Sequence, residues 1–143
     1  MTTPLPTIRL MTLDDYAAAY RLWQQTAGMG LHPQDDSCEG FTRYLRRNPT
    51  SCFIAEQAGS LVGTILCGHD GRRGFIYHLA VAESARRNGL ASRLVEQALA
   101  ALRQENIQKV AFLVYRSNSD GNTFWDTQGF SYRQDVFYRD KWL

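Results

Sequence analysis

The chain has 143 residues, of which 44% are hydrophobic and 21% charged, and its formal net charge is +2. This length and composition suit one globular domain with a buried core and exclude a low-complexity chain. The small charge and scattered arginines argue against nucleic acid as a partner, and no apolar run approaches the roughly 20 residues of a membrane span. Because the N-terminus lacks an apolar signal-peptide core, we expect a cytoplasmic protein that binds neither nucleic acid nor membrane.

The first half of the chain predicts a strand, two helices and a β-hairpin. Thr12 and Asp15 have the spacing of a helix N-cap, and apolar residues then recur at helical spacing. A polar loop over 31–37 precedes the second helix, which Asn48-Pro49 closes. These predicted elements are the strand Thr7–Met11, a helix from Leu13 to Ala27, the helix Cys38–Arg47, and the strands Ser51–Glu56 and Leu61–Gly68.

The second half of the chain continues with alternating strands and helices. An apolar stripe from Leu90 to Leu102 predicts an amphipathic helix, and Gly129 is a suitable residue to end the last helix. The remaining predicted elements are the strands Phe75–Val81 and Lys109–Tyr115, the helix Asn118–Gln128, and a closing hairpin of Phe130–Arg133 and Val136–Trp142. The order β-α-α-β-β-β-α-β-α-β-β predicts a mixed α/β domain.

The segment between the strand Phe75–Val81 and the next helix has the composition of an anion site. The first amides of a helix have no partner within it, and the helix dipole adds positive charge there. Arg86 and Arg87 add two guanidiniums that suit phosphate oxygens, and Gly89 lets the backbone approach a ligand without a Cβ. The expected ligand is a pyrophosphate, although neither a Walker loop nor a GxGxxG fingerprint is present.

This segment, Arg86-Arg-Asn-Gly89-Leu-Ala91, resembles the acyl-CoA signature [QR]xxGx[GA] of the GNAT (GCN5-related) N-acetyltransferases. A second stretch, NSDGNTFWDTQGF over 118–130, resembles the family's later landmark of an Asn, a helix, an aromatic residue and Gly-Phe. The resemblance covers the whole order of elements. It implies a single N-acetyltransferase domain over 1–143, with a mostly antiparallel sheet flanked by helices.

The resemblance also implies acetyl-CoA as co-substrate, lying in a splay between the strands Phe75–Val81 and Lys109–Tyr115. Main-chain groups of Leu79 and Val81 would pair with the pantetheine arm, and the amide near Leu79 would polarise the thioester carbonyl. The pyrophosphate would lie at the Arg86–Ser92 segment. The implied cofactor-binding residues are Leu79, Ala80, Val81, Arg86, Arg87, Asn88, Gly89, Leu90, Ala91, Ser92, Asn118 and Trp125.

The sequence departs from the family pattern where proton transfer is concerned. Trp125 occupies the position at which many relatives carry a Tyr that protonates the departing thiolate, and an indole N–H is no proton source at neutral pH. Two positions where relatives place a base hold Phe75 and Leu113.

Three residues are candidates to replace the missing catalytic groups. Tyr77 shares a strand face with Phe75, so it lines the acyl site or is a half-buried strand residue. His78 has the chemistry of a base, but strand alternation places it on the opposite face. Tyr115 ends its strand near Asn118 and could supply a phenol.

Acidic residues between and within the first two helices leave two interpretations open. They form either a solvated surface or a cation-binding wall of the substrate site, and they are Asp35, Asp36 and Glu39. The three histidines lack metal-ligand spacing and the three cysteines lack a CxxC pair, so no metal site is expected and reduced thiols are predicted.

Two functional hypotheses follow. The first is an acetyl-CoA-dependent N-acetyltransferase, in which a primary amine attacks the thioester directly in a ternary complex. The amine could belong to a small molecule, an amino acid-like compound or a peptide N-terminus. The second is a non-catalytic acyl-CoA-binding or sensor module that has lost the usual Tyr acid. A homodimer through the closing strands or the aromatic helix faces is a further hypothesis.

Overall fold

A computed structural model describes residues 4–143, which divide into two compact units. One unit ends at Leu113, and the other is Val114–Leu143. The first unit holds five strands and three helices: β1 (Thr7–Leu10), α1 (Tyr16–Gln24), α2 (Cys38–Arg47), β2 (Phe53–Gln57), β3 (Ser60–His69), β4 (Gly74–Val81), α3 (Leu90–Gln104) and β5 (Val110–Ala111). The second unit contains α4 (Ser119–Thr127).

The strands form one sheet in the order β1-β2-β3-β4-β5. The first four strands pair antiparallel, and β5 alone runs parallel to its neighbour β4. This confirms the predicted mixed, mostly antiparallel sheet flanked by helices. None of the helices in residues 4–143 is long and apolar enough to cross a membrane.

Helices cover both faces of the sheet. On one face, Trp23 of α1 and Phe41 of α2 pack with Ile54, Leu66 and Ala80 of the strands in a buried cluster. On the other face lies α3, whose buried stripe consists of Leu90, Leu94, Val95, Ala98 and Leu102. The close approach of α3 explains a strand glycine, since a Cβ on Gly63 would lie 3.0 Å from the Leu94 side chain.

The predicted N-cap at Thr12 is confirmed, although the first turn that follows is a 3₁₀ helix over Leu13–Asp15. The Thr12 amide donates to the Asp15 carboxylate at 2.8 Å, and Arg9 donates to the two oxygens of the same carboxylate at 2.9 and 2.8 Å. Burial alone would raise the pKa of Asp15, but these hydrogen bonds outweigh it and lower that pKa. The ionised carboxylate therefore joins β1 to the start of α1.

Two strand predictions near the C-terminus are wrong. The strand predicted over Lys109–Tyr115 is reduced to Val110–Ala111, since the β4–β5 ladder covers only Gly74 with Val110 and Phe75 with Ala111. The predicted hairpin of Phe130–Arg133 and Val136–Trp142 has no strand in the described chain. Strand-like composition forms a strand only where a neighbour completes the ladder of hydrogen bonds, and these residues have no such ladder.

Candidate active site

The pairing of β3 with β4 is interrupted at His78 and Leu79 of β4. Leu66 of β3 pairs with Tyr77 and Thr64 pairs with Ala80, so that Ile65 alone stands opposite two residues of β4. This is the geometry of a β-bulge, and His78 adopts a positive φ of 42° within it. A positive φ is costly for a residue with a Cβ and is found mostly at turns and functional sites.

The bulge changes the direction of the His78 side chain. Tyr77 contacts Tyr44 of α2, with ring centroids 5.8 Å apart, and the His78 ring lies 4.8 Å from the Trp23 ring of α1. Both side chains therefore lie on the α1–α2 face of the sheet. The prediction that His78 faces away from Tyr77 is wrong, because the extra residue of the bulge interrupts the two-residue alternation.

His78 forms a buried pair with Asp36, which lies in the loop before α2. His78 Nε2 is 2.5 Å from Asp36 Oδ1, and each side chain is 10% exposed. Asp35 and Glu39, by contrast, are exposed. The interpretation of these acidic residues as a solvated surface is therefore wrong for Asp36, whose carboxylate has a specific partner.

Hydrogen bonds hold Asp36 in place from the loop and from α1. Its Oδ2 accepts from the His32 amide at 2.8 Å, and its carbonyl accepts from the Tyr16 hydroxyl at 2.6 Å. Burial alone would raise the pKa of the Asp36 carboxyl, but the hydrogen bonds from His78 and the His32 amide outweigh it and lower that pKa. Asp36 is therefore an ionised carboxylate at neutral pH, acting only as an acceptor.

A fully buried threonine connects α1 to the bulge. The Thr64 hydroxyl accepts from Trp23 Nε1 at 2.9 Å and donates to the His78 carbonyl at 2.9 Å. Trp23 and Thr64 are both almost completely buried. The Thr64 hydroxyl thus holds both the Trp23 indole, against which His78 packs, and the backbone of His78.

The Arg86–Ser92 segment leads from β4 into α3 with the backbone shape expected of an anion site. Arg87 and Gly89 have positive φ values of 69° and 74°, and the N-terminus of α3 has no side-chain cap and no acidic residue in its first turn. Alternation of left-handed residues turns successive backbone N–H groups toward one side, as in anion-binding nests. A Cβ on Gly89 would lie in open space, with no atom within 4 Å. Glycine is therefore favoured at this position by the positive φ and not by a lack of space.

Arg86 and Arg87 are exposed, and neither forms an ion pair within residues 4–143. Arg86 Nε donates to the Val81 carbonyl at 3.0 Å, which fastens the segment to the end of β4. Of the other predicted residues, Leu90 is buried and anchors α3, while Asn88 is exposed and Ala91 and Ser92 are half-buried. The guanidiniums thus supply positive charge without a carboxylate partner.

The β4–β5 ladder ends at Phe75, although β4 continues to Val81. The remainder of β4 contains the predicted residues Leu79, Ala80 and Val81, of which Ala80 is buried in the core. A strand that continues beyond its neighbour leaves that edge available for an extended ligand. A 3₁₀ helix over Glu83–Ala85 connects this stretch of β4 to the Arg86–Ser92 segment.

The second unit contains Tyr115, Asn118 and Trp125. Tyr115 is 60% exposed and lies outside any strand, so the prediction that it ends a strand is wrong. Trp125 packs between Phe124 and Phe130, with ring centroids 5.0 Å from each. The indole therefore contributes to an aromatic cluster of α4 and the turn that follows it.

Asn118 is the N-cap of α4. Its Oδ1 accepts from the Gly121 amide at 2.9 Å, and a Cβ on Gly121 would lie 2.5 Å from Asn118 Nδ2. The Nδ2 group has no hydrogen-bond partner among residues 4–143. One end of the side chain therefore caps a helix, while the other end can donate to a ligand.

Two substitutions separate these roles of Asn118. Asn118→Ala should lower the free energy of unfolding by about 1 kcal/mol, as loss of an N-cap does. Asn118→Asp retains an oxygen cap and removes the Nδ2 donor, so we expect near-normal stability with weaker acetyl-CoA binding. Denaturant unfolding and calorimetry measure the two effects. If Asn118→Asp binds acetyl-CoA as the native protein does, Asn118 is a cap alone.

Two of the three cysteines, Cys52 and Cys67, are buried. Burial raises the pKa of the Cys52 and Cys67 thiols to about 12, so neither is a nucleophile at neutral pH. All three cysteines are free thiols. No cluster of three or more His, Cys, Asp and Glu side chains within residues 4–143 could hold a metal ion.

The sequence interpretation missed the Asp36–His78 pair and the Thr64 hydroxyl. Asp36 and His78 are 42 positions apart, and Trp23 and Thr64 are 41 apart. No local pattern connects such residues. A signal for a functional role of His78 is present in the sequence, because His78 is a titratable residue in a strand that is otherwise mostly apolar.

Comparisons with known proteins give matches along most of the chain. A family model described as the acetyltransferase (GNAT) family matches residues 11–130. An acetyltransferase of Pectobacterium atrosepticum is 31% identical over 111 residues, which are 78% of this chain and 77% of that protein.

Solved structures show the same fold. The crystal structure of Ard1 from Thermoplasma volcanium has a TM-score of 0.78 at 26% identity, covering 90% of this chain and 84% of that one. An aminoglycoside N-acetyltransferase in complex with CoA has a TM-score of 0.79 at 19% identity, covering 99% of this chain and 97% of that one.

Proposed function

Because the chain belongs to the GNAT acetyltransferase family, we propose that it transfers an acetyl group from acetyl-CoA to a primary amine. We also propose that residues 1–143 act as a single N-acetyltransferase domain. The family match supports this, since it runs from 11 to 130 across the boundary between the two units. The amine belongs to a small molecule, an amino acid-like compound or a peptide N-terminus.

One observation carries the proposal: β4 continues past the end of its ladder with β5, and a connection that begins with the 3₁₀ helix Glu83–Ala85 joins it to the uncapped N-terminus of α3. An extended pantetheine arm suits a strand edge, and a pyrophosphate suits the first backbone amides of a helix beside the guanidiniums of Arg86 and Arg87. The spacing along the chain is also suitable, since only a short turn separates Val81 from Arg86. These features fit acetyl-CoA better than a ligand without phosphate.

The proposed ligand contacts follow from this arrangement. Leu79 and Val81 bind the pantetheine arm through main-chain groups, with Ala80 directed into the core between them. The amides of Arg87–Ser92 and the guanidiniums of Arg86 and Arg87 hold the pyrophosphate. Asn118 Nδ2 donates to the pantetheine or acetyl end, and Trp125 orients α4 without transferring a proton.

The proposed reaction is a direct transfer in a ternary complex. The amine nitrogen attacks the thioester carbonyl carbon, and the Leu79 amide stabilises the negative charge that develops on the carbonyl oxygen. The C–S bond then breaks, and the electron pair leaves with sulfur. A thiolate with an ordinary pKa of about 8.5 departs readily, so the absence of Tyr at Trp125 is compatible with turnover.

Proton transfer requires a titratable group near the thioester. Tyr77, which is 47% exposed on the α1–α2 face, and Tyr115 are candidates to protonate the departing thiolate. His78 is the candidate base. His78 has the buried Asp36 carboxylate as its partner.

Release of free thiol from acetyl-CoA across a panel of primary amines tests the proposal. We expect amine-dependent thiol release and an acetylated product detectable by mass spectrometry for at least one class of amine. Calorimetry should show acetyl-CoA binding without any amine. Tight binding with no turnover on small amines, amino acids and peptides would favour the non-catalytic acyl-CoA module instead.

A further inference from the structure

The His78 imidazole is held from two sides at the bulge of β4. Asp36 Oδ1 lies 2.5 Å from Nε2, and the Trp23 indole packs against the ring at a centroid distance of 4.8 Å. Only 10% of the His78 side chain is exposed. An imidazole held in this way keeps one orientation, as a base needs when it must meet a proton in a fixed direction.

The partner of His78 determines which ring nitrogen is basic. An ionised carboxylate accepts hydrogen bonds and donates none, so Nε2 must carry the hydrogen that faces Asp36. In a neutral imidazole the lone pair then lies on Nδ1. Nδ1 has no hydrogen-bond partner among residues 4–143. The pair therefore presents an unengaged basic nitrogen.

We propose that His78 is the general base of this transferase and that Asp36 positions it by fixing its tautomer. This inference rests on the proposed function, which places the thioester carbonyl at the Leu79 amide. Leu79 follows His78 directly, and consecutive Cα atoms are about 3.8 Å apart. The strained φ of 42° at His78 is explained if the backbone is shaped to direct this side chain toward the α1–α2 face.

The proposed proton transfer balances with the group transfer. The amine nitrogen forms a bond to the carbonyl carbon, and His78 Nδ1 takes the proton that this nitrogen loses. The C–S bond breaks, and sulfur keeps the electron pair as the CoA thiolate. The imidazolium then releases its proton to solvent and the thiolate takes one up, so that amine and acetyl-CoA yield amide and CoA thiol.

Among the described residues, groups of α1, of β4 and of the loop before α2 surround the pair. Asp36 faces Nε2 from the loop before α2, Trp23 faces the ring from α1, and Tyr77 lies beside it on β4 at a centroid distance of 6.5 Å. Behind Asp36 stand Tyr16, through its hydroxyl, and His32. The Asp36 carboxylate is the group of this set that hydrogen-bonds the imidazole.

Steady-state kinetics of three variants tests the proposal. His78→Gln should lower kcat by about 100-fold or more, the usual contribution of a general base, with little change in the KM for acetyl-CoA. Asp36→Asn should lower kcat by about tenfold or more, because the charged acceptor that fixes the tautomer becomes a neutral amide, which can present its NH2 donor to the ring instead. The exposed carboxylate variant Asp14→Asn, outside the proposed site, is the matched control and should retain native kcat.

The pH dependence separates a base from a structural residue. If His78 takes the amine proton, the defect of His78→Gln should shrink as the pH rises toward the amine pKa of about 10, where solvent supplies the neutral nucleophile. A merely structural role would give the same loss at every pH. A kcat of His78→Gln within about threefold of native, in a protein that still binds acetyl-CoA, would overturn the proposal.

A measurement on the native protein avoids any question of folding. Nitrogen-15 NMR of the imidazole at neutral pH should show a hydrogen on Nε2 of His78, and a hydrogen on Nδ1 instead would overturn the proposal. The outcomes also distinguish the two levels of inference. Native turnover that survives His78→Gln overturns the base alone, whereas no native turnover with any amine overturns the proposed function and the base with it.

Discussion

Thr64→Val should lower the free energy of unfolding by about 2–4 kcal/mol, although the two side chains have nearly the same shape. Valine retains the volume and favours a strand, so packing and propensity predict little change. The loss comes from two groups that Thr64 satisfies, the buried Trp23 indole N–H and the partly buried His78 carbonyl. Each buried polar group left without a partner costs about 1–3 kcal/mol.

Thr64→Ser is the matched control, because it retains the hydroxyl and removes one methyl group. We expect it to cost about 1 kcal/mol, the value for a lost buried methyl group. Urea unfolding of the two variants, followed by tryptophan fluorescence, measures the difference. A Thr64→Val protein as stable as the native one would mean that the two hydrogen bonds contribute no net stability to the bulge.

Gly89→Asp should weaken acetyl-CoA binding by about 100-fold or more. A unit charge about 4 Å from a phosphate charge costs about 4 kcal/mol at an effective dielectric constant of 20. Gly89 lies at the N-terminus of α3, where the proposed pyrophosphate binds, and its Cβ position is open space. The substitution therefore introduces charge without a clash within the protein.

The control for Gly89→Asp is Gly89→Asn, which has a similar size and no charge. Asn and Asp tolerate the left-handed φ of 74° better than other residues, so backbone strain is nearly equal in the two variants. Calorimetry with acetyl-CoA should show a much weaker Kd for Asp, and salt should reduce the difference. Equal affinities would place the pyrophosphate away from the Arg86–Ser92 segment.

Local patterns predicted the elements that depend on local physics. The apolar stripe from Leu90 placed α3 correctly, and Asn48-Pro49 correctly closed α2. The resemblance identified the family from a few adjacent residues. In each case the pattern lies within one helix or at one of its ends. The residues that form hydrogen bonds and share a buried face there are close together in the sequence.

The errors arose where a distant neighbour determines the structure. The two-residue alternation of strands predicted the wrong face of the sheet for His78. The β-bulge that changes its direction depends on the pairing of β3 with β4 and cannot be predicted from the β4 sequence alone. Asp36 resembled its solvated neighbour Asp35, since nothing nearby indicates a partner 42 positions away. The C-terminal segments had strand composition, but composition does not supply the neighbouring strand that a ladder needs.

A crystal structure of the complex with acetyl-CoA tests the central claim most directly. We expect the pyrophosphate at the Arg86–Ser92 amides and the thioester carbonyl oxygen within hydrogen-bond distance of the Leu79 amide. His78 Nδ1 should be the basic nitrogen closest to the open side of the thioester carbon. Acetyl-CoA bound away from the β4 edge, or a thioester remote from Leu79 and His78, would contradict the proposed transfer at this site.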